Sequence, residues 1–327
     1  MVKRSGYIDI HHHIIPEIYL KALNDSGIDK AGGLKIKKWE PQDSIEMMDR
    51  LGIEAGITSI SDPALEPLDL EKRKDVARNI NELQAKLIND YPNRFGAFAT
   101  LPLPDVEGAI EEAIYALDTL KLDGVALLSN YSESFLGDPE FEDLMRVLND
   151  RQAVLFIHPS TPPDYVPRPK YMPVDFMAEF TFNTTRAAAN LILSGTMDRY
   201  PNIKIILAHA GGTLPYLTWR INQCYELIEQ TMDNSKYVTL SKSPEDYISD
   251  FYYDTALSTQ LATFKALDET TTDDHILFGS DAHYAPEKID KLMINTIEND
   301  ANFNPQKIED VKRNNALTLF PRFKDSF

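Results

Sequence analysis

The stretch YIDIHHHIIP, residues 7–16, sets the reading of the whole chain. Its first seven residues are a short apolar run that closes in three consecutive histidines, and it reads as a β-strand. Successive side chains of a strand point to opposite faces, so His11 and His13 point one way and His12 the other. Two imidazoles on one face at a strand end can grip one metal ion. The bland alternative is a solvated strand end; a purification tag would lie outside folded sequence. The pair gains meaning only from what else reaches it.

Working outward, the same kind of run recurs. Short β-rich segments occur at residues 7–13, 55–61, 95–101, 124–129, 153–158, 203–209, 251–255 and 275–280. Helical patterns follow most of them, at 41–51, 70–91, 106–120, 139–149, 184–200 and 214–230. Pro41 and Pro139 suit first-turn positions, and Ser243-Pro244-Glu245-Asp246 reads as a further helix start. No Gly/Ser linker, low-complexity run or repeat interrupts the alternation. Strands alternating with helices predict an α/β fold, a (β/α)8 TIM barrel with elaborated βα loops, forming one domain over residues 1–327. A doubly wound open sheet is the alternative, but no Gly-x-Gly-x-x-Gly fingerprint follows any strand.

In a barrel the active site lies at the C-terminal ends of the strands. His11 and His13 end strand 1, His158 ends strand 5 in AVLFIHPS, His209 ends strand 6 in IKIILAHAGG, and Asp281 ends strand 8 in HILFGSDAH. Four histidines and an aspartate on one rim point to a metal centre. His275 begins strand 8 and belongs to the opposite, stability face. Each residue has a plainer role available: His158 as a core histidine capping the Pro159 loop, His209 bonding backbone, Asp281 capping a turn, His283 lining a loop. Asp254, in FYYDTALS, reads equally as a residue orienting a ligand or as a turn residue.

Composition narrows the classes. The formal charge of −18 argues against nucleic-acid binding, which wants a basic footprint. A hydrophobic share of 43% supplies a sizeable core without any apolar run long enough to span a membrane. The N-terminus leads into a strand rather than a signal-peptide core. The single cysteine, Cys224, excludes an internal disulfide and a cysteine-rich zinc site, and fits a reducing, cytoplasmic location.

Taken together these motifs resemble the amidohydrolase superfamily, in the branch that includes aminocarboxymuconate-semialdehyde decarboxylase and γ-resorcylate decarboxylase. The carriers are IDIHHH, FIHP, RYPNIKIILAHAGGTLPYLTWRI and FGSDAH, and above all the block FTFNTTRAAANLILSGTMDRYPNIKIILAHAGG. The resemblance runs over nearly the whole chain. It implies His11, His13, His158 and Asp281 as metal ligands and His209 and Asp281 as catalytic residues. The first-strand motif is His-x-His, where some resorcylate-type enzymes carry Glu-x-His; this leans toward the muconate-type branch. Strand 4, DGVALLSN, ends without the lysine that holds a second metal in many superfamily hydrolases, so one metal is expected.

Three imidazoles and a carboxylate suit one divalent ion, zinc first and manganese second. The resemblance implies a metal-dependent, non-oxidative decarboxylase (carboxy-lyase) acting on a small aromatic or unsaturated carboxylic acid. The same site in a hydrolase would attack an amide, ester or lactone, and a non-catalytic metal-binding protein is the third class. The loop at 14–40, which contains Trp39, and the proline-rich loop at 160–174 are expected to shape the pocket. Trp39 and Asn130, at the strand 4 exit, are candidate substrate contacts. So is Arg220, whose counterpart in the muconate-type enzymes reaches a neighbouring subunit's site; by that resemblance the protein is a homodimer.

Overall fold

The computed structural model describes residues 6–31, 33–233, 237–299 and 303–324. The first four residues, Met1–Arg4, on which the reading of the N-terminus rests, lie outside them. Strands β1 (Tyr7–His13), β2 (Ile53–Ser59), β3 (Phe95–Thr100), β4 (Gly124–Leu128), β5 (Val154–His158), β6 (Lys204–Leu207), β7 (Tyr252–Asp254) and β8 (Ile276–Leu277) form one parallel sheet in chain order. β8 comes back to β1: Ile10 N donates to Phe278 O at 3.0 Å, and Asp281 N to His11 O at 2.9 Å. The sheet is thus the expected (β/α)8 barrel, with helices outside it.

The strands hold two apolar layers, which is why they read as near-continuous hydrophobic runs. Ile8, Ile10, Ala55, Ile57, Phe98, Phe156, Ile206 and Leu277 fill the interior. Phe320 and Phe323 of the C-terminal segment join this inner cluster. Burying each side chain of this size is worth about 1.5–3 kcal/mol. Phe98 and Phe156 stack at 5.3 Å, and the Phe156 ring lies 4.8 Å from that of His11, so this layer is the floor of the histidine site.

Several elements depart from the sequence reading. β6 stops at Leu207 and β8 at Leu277, short of the expected 209 and 280, because the mouth residues leave the ladder to turn their side chains inward. The helix expected at 184–200 begins earlier and is broken into Glu179–Leu193 and Thr196–Arg199, with Gly195 at φ +74° between them. Its apolar pattern runs through the break, so periodicity alone hides it. The helix expected at 106–120 is α-helical over Val106–Ile114 and then loosens into a wider turn, Tyr115–Thr119. The loop after β1 carries a helix, Glu17–Asp25, and a short hairpin pairing Lys30–Ala31 with Leu34–Lys35.

Candidate metal centre

A bulge in β1 aims the first two histidines. Asp9 pairs with Gly56 and His12 with Thr58, so three steps along β1 match two along β2. An extra residue of this kind shifts the inside–outside alternation by one. Ile10 faces the barrel interior, and so do its neighbour His11 and, beyond it, His13. His12 turns the other way: its Nδ1 meets Asp9 Oδ2 at 3.0 Å and its Nε2 meets Ser44 Oγ at 2.7 Å.

One side-chain donor atom from each of His11, His13, His158 and Asp281 lies within 4.8 Å of the others, a group that could hold a metal ion, and all four residues are buried. Each ring is fixed from behind. His158 Nδ1 lies 2.7 Å from Pro159 O, which only accepts, so this nitrogen carries the hydrogen and Nε2 is a bare lone pair. His11 Nδ1 lies 2.7 Å from Asp254 Oδ2, which keeps a hydrogen on Nδ1 and leaves Nε2 to face the centre. His13 Nδ1 faces Ser59 Oγ at 3.0 Å. At the centre His11 Nε2 and His13 Nε2 stand 2.9 Å apart, and Asp281 Oδ1 lies 3.4 and 3.2 Å from them. Lone pairs that converge so closely repel unless a cation sits among them. The donor set therefore fits a single divalent metal, three neutral nitrogens and one carboxylate.

The electrostatics agree. Burial, reinforced by the neighbouring imidazole of His11, lowers the pKa of His13 to about 4 although Asp281 opposes it, and burial holds His158 well below the ordinary histidine value. Burial also disfavours charge on His11, but Asp254 and Asp281 outweigh it and raise its pKa to about 10. Burial pushes the Asp281 carboxyl up, but His11 and its other partners hold it well below the carboxylate range. The centre thus calls for positive charge, as a proton on His11 or as a metal ion that displaces it.

His209 sits beside the ligands. Its backbone N donates to Asp254 Oδ1 at 2.8 Å, its Nε2 faces Asp281 Oδ2 at 3.4 Å, and its Nδ1 has no partner among the described residues. Residues 209–212 all have positive φ, between +55° and +71°. A Cβ on Gly212 would meet Thr181 O at 2.1 Å, so only glycine completes this turn. Non-glycine residues held at positive φ mark strain that the surroundings must impose. Asp281, at φ +63°, is a second case. Asp254 fits both readings: fully buried, it holds His11 and the backbone of His209, and it also closes its own turn by accepting from Ala256 N. Gly279 makes room for the His11 contact, since a Cβ there would meet His11 Cβ at 2.8 Å.

The centre opens into a cavity of about 520 Å³ lined by His158, His209 and Asp281, by the apolar side chains Leu34, Phe176, Met177, Phe180, Leu257 and Ile289, and by Asp62 and Tyr284. Its size and lining suit a small, mostly apolar ligand with a few fixed polar contacts. Trp39 and Asn130 are not among the lining residues. Trp39 Nε1 donates to Ser44 Oγ and His283 Nε2, behind β1. Asn130 donates to Ser132 O and Thr161 O and accepts from Asn183, which ties the β4 exit to the loop after β5. Both spend their polar atoms on neighbours. Arg220 is exposed on helix Leu214–Thr231 and makes no hydrogen bond or ion pair among the described residues. Sequence reasoning missed Asp62 and Tyr284, although Asp62 lies one residue beyond the run expected at 55–61.

Comparison with known proteins agrees with this picture. The amidohydrolase family model matches residues 8–322. A 6-methylsalicylic acid decarboxylase of Penicillium expansum is 36% identical over 332 residues, covering 97% of this chain and 97% of the relative. Among solved structures, 5-carboxyvanillate decarboxylase from Sphingomonas paucimobilis superposes with a TM-score of 0.85 at 21% identity, over 97% of this chain and 99% of that one. A dihydroxybenzoic acid decarboxylase from a Polaromonas species, with bound manganese and 2-nitroresorcinol, gives 0.82 at 23% identity, over 97% of each chain.

Proposed function

The chain belongs to the amidohydrolase family, and from that premise we propose that it is a metal-dependent carboxy-lyase that removes CO2, without oxidation, from a small aromatic carboxylic acid. The observation that carries this reading is the 36% identity, over 97% of both chains, to a decarboxylase of a methylated hydroxybenzoic acid. The buried three-histidine, one-aspartate centre beneath an apolar cavity supports it.

One divalent ion would be held by His11, His13, His158 and Asp281. Bound there, it would draw the oxygens of the substrate to the centre and stabilise negative charge on them. The ion we favour is manganese rather than zinc. The manganese bound in the Polaromonas enzyme supports that preference.

The chain supplies the rest. Phe176, Phe180 and Leu257 would clasp the ring and exclude water. The carbon–carboxyl bond breaks, its electron pair stays on the ring carbon, and a proton takes the place of CO2. Asp281 Oδ1 points to the ligand centre, while Oδ2 faces His209 Nε2; the pair is placed to hold that proton and deliver it.

Among the described residues no lysine or arginine lines the cavity, and in our reading a second copy of the chain completes it. Tyr216 and Trp219, 87% and 73% exposed, lie with Arg220 and Leu227 along one side of helix Leu214–Thr231. Such an apolar stripe suits a homodimer interface, with Arg220 carried to the partner's cavity to bind the substrate carboxylate through its planar guanidinium. The chain would act as a single-domain cytoplasmic enzyme, where an exposed free thiol such as Cys224 stays reduced.

The test is CO2 release from a panel of hydroxybenzoic and dienoic acids by metal-loaded protein. Hydrolysis of esters, lactones or amides without any CO2 release would replace this reading by a hydrolase. Inactivity toward both panels with metal bound would leave a metal-binding protein. Mixed dimers of Arg220→Ala and His209→Asn chains should recover activity if Arg220 acts in trans; a verified heterodimer without recovery overturns that role.

A further inference from the structure

We propose that Asp62 builds a second polar subsite in the cavity, which accepts a hydrogen bond from a hydroxyl or amine donor on the substrate ring. The proposal rests on the decarboxylase reading for the nature of the substrate, and on geometry for the site. Asp62 follows β2 at the barrel mouth and lines the cavity together with Tyr284. Its Oδ1 is occupied by Ser160 Oγ at 3.1 Å and Thr161 N at 3.0 Å. Its Oδ2 receives only a 3.4 Å contact from Thr161 Oγ1. A carboxylate has roughly four lone-pair sites, so acceptor capacity remains on the oxygen that the protein leaves underused.

The surroundings make this unusual. Among the described residues no cation pairs with Asp62, and no lysine or arginine lines the cavity. A buried carboxyl without a counter-ion is costly unless donors surround it. Burial accordingly pushes its pKa up to about 6 against the pull of Thr161 and Ser160. Two phenols stand nearby. Tyr284, edge-on to His13 at 5.5 Å, shares the wall, and the buried hydroxyl of Tyr19, an electrostatic neighbour of both, has no partner among the described residues. Satisfied from behind and open in front, Asp62 discriminates in two ways. It rewards a donor on the ring, and it repels a carboxylate, so the acid group of the substrate is turned toward the ligand centre. Of the remaining walls, Phe176, Phe180, Leu257 and Ile289 offer nothing to a ring hydroxyl, and Ser61, Thr181 and Ser258 offer only neutral hydroxyls.

The experiment compares 2-hydroxybenzoates that carry a second hydroxyl with the same compounds carrying methyl, at each ring position, in wild type and in Asp62→Asn. Asparagine keeps the shape and can still accept from Ser160 and Thr161 with its oxygen, leaving its NH2 toward the cavity. In wild type, one hydroxyl isomer should exceed its methyl partner in kcat/KM by about tenfold or more, the scale expected when a charged acceptor gains a donor. In Asp62→Asn that preference should collapse. A purely structural Asp62 would lower all compounds together and leave the ratios unchanged; that result overturns the proposal. If wild type turns over none of the panel, the decarboxylase reading fails. The subsite is then read from dissociation constants of the same pairs with metal-loaded protein, where equal hydroxyl-to-methyl ratios in both proteins overturn it. Metal content and circular dichroism of Asp62→Asn verify its fold, and Asp62→Ser, which shortens the acceptor without reversing its polarity, serves if asparagine misfolds.

Discussion

Replacing Asp254 by asparagine should strip the centre of metal without touching a ligand. Asp254 is fully buried and divides its oxygens cleanly. Oδ1 accepts from His209 N at 2.8 Å and Ala256 N at 2.9 Å; Oδ2 takes His11 Nδ1 at 2.7 Å. Asparagine can keep the first two bonds with its oxygen. Its NH2 then faces a ring nitrogen that already carries a hydrogen. His11 can escape only by moving that hydrogen to Nε2, which removes the lone pair offered to the metal. Either a buried donor stays unpaired or a ligand is lost, and the first alone costs about 1–3 kcal/mol. Partners that fix ligating histidines are worth 10–100-fold in metal affinity, about 1.4–2.8 kcal/mol. We expect Asp254→Asn to bind manganese 10–100-fold more weakly in a chelator competition titration. Activity should follow metal occupancy and recover in part at high metal. Wild-type affinity in a folded Asp254→Asn protein would refute the tautomer argument.

Elemental analysis should find one tightly held metal per chain; His13→Ala should abolish it, whereas His12→Ala, whose ring is bonded to Asp9 and Ser44, should leave it nearly unchanged. His209→Asn should keep fold and metal, since asparagine tolerates positive φ, but lower kcat about 10²-fold or more, and near-normal turnover would reduce His209 to a structural role. Metal affinity should rise about tenfold per pH unit between roughly pH 5 and 9, because the ion displaces one proton from His11, with a pKa near 10, and none from His13, near 4; a flat profile would show that His11 is already neutral. The sign for the metal-free fold is opposite: the raised pKa of His11 stabilises it fully below about 6.5, and this stabilisation is lost as pH rises toward 10.

The barrel was legible because its strands are buried on both faces and stay apolar for most of their length, while its helices keep a different period. The rim was legible because strand ends map onto one face of a barrel. Metal ligands are hard to hide, since few other residue types can do their work. Less was visible where the backbone leaves regular geometry. The paired glycines after His209 are compatible with a tight turn, but nothing in the sequence signals the positive φ of His209 itself. Trp39 and Asn130 were placed near the substrate by loop position alone, and a loop does not say which way a side chain turns. Asp62 carries no motif that marks it in the sequence, although it lines the same cavity as His158.

The three histidines in a row find their explanation in the bulge. A regular strand that put Ile8 and Ile10 inside would put His12 inside and send His11 and His13 out. One extra residue between Asp9 and His12 reverses this, so that Ile10 and His11 are both interior: the last residue of the apolar floor and the first ligand above it. The same shift brings Asp9 and His12 together behind the strand. There Asp9 also accepts from Ser280 N at 2.9 Å, just before Asp281, while His12 reaches Ser44, which is shared with Trp39 and His283. The middle histidine is therefore neither a ligand nor a bystander. It fastens β1 to the helix outside it, and through Asp9 it is joined to the segment that presents the fourth ligand.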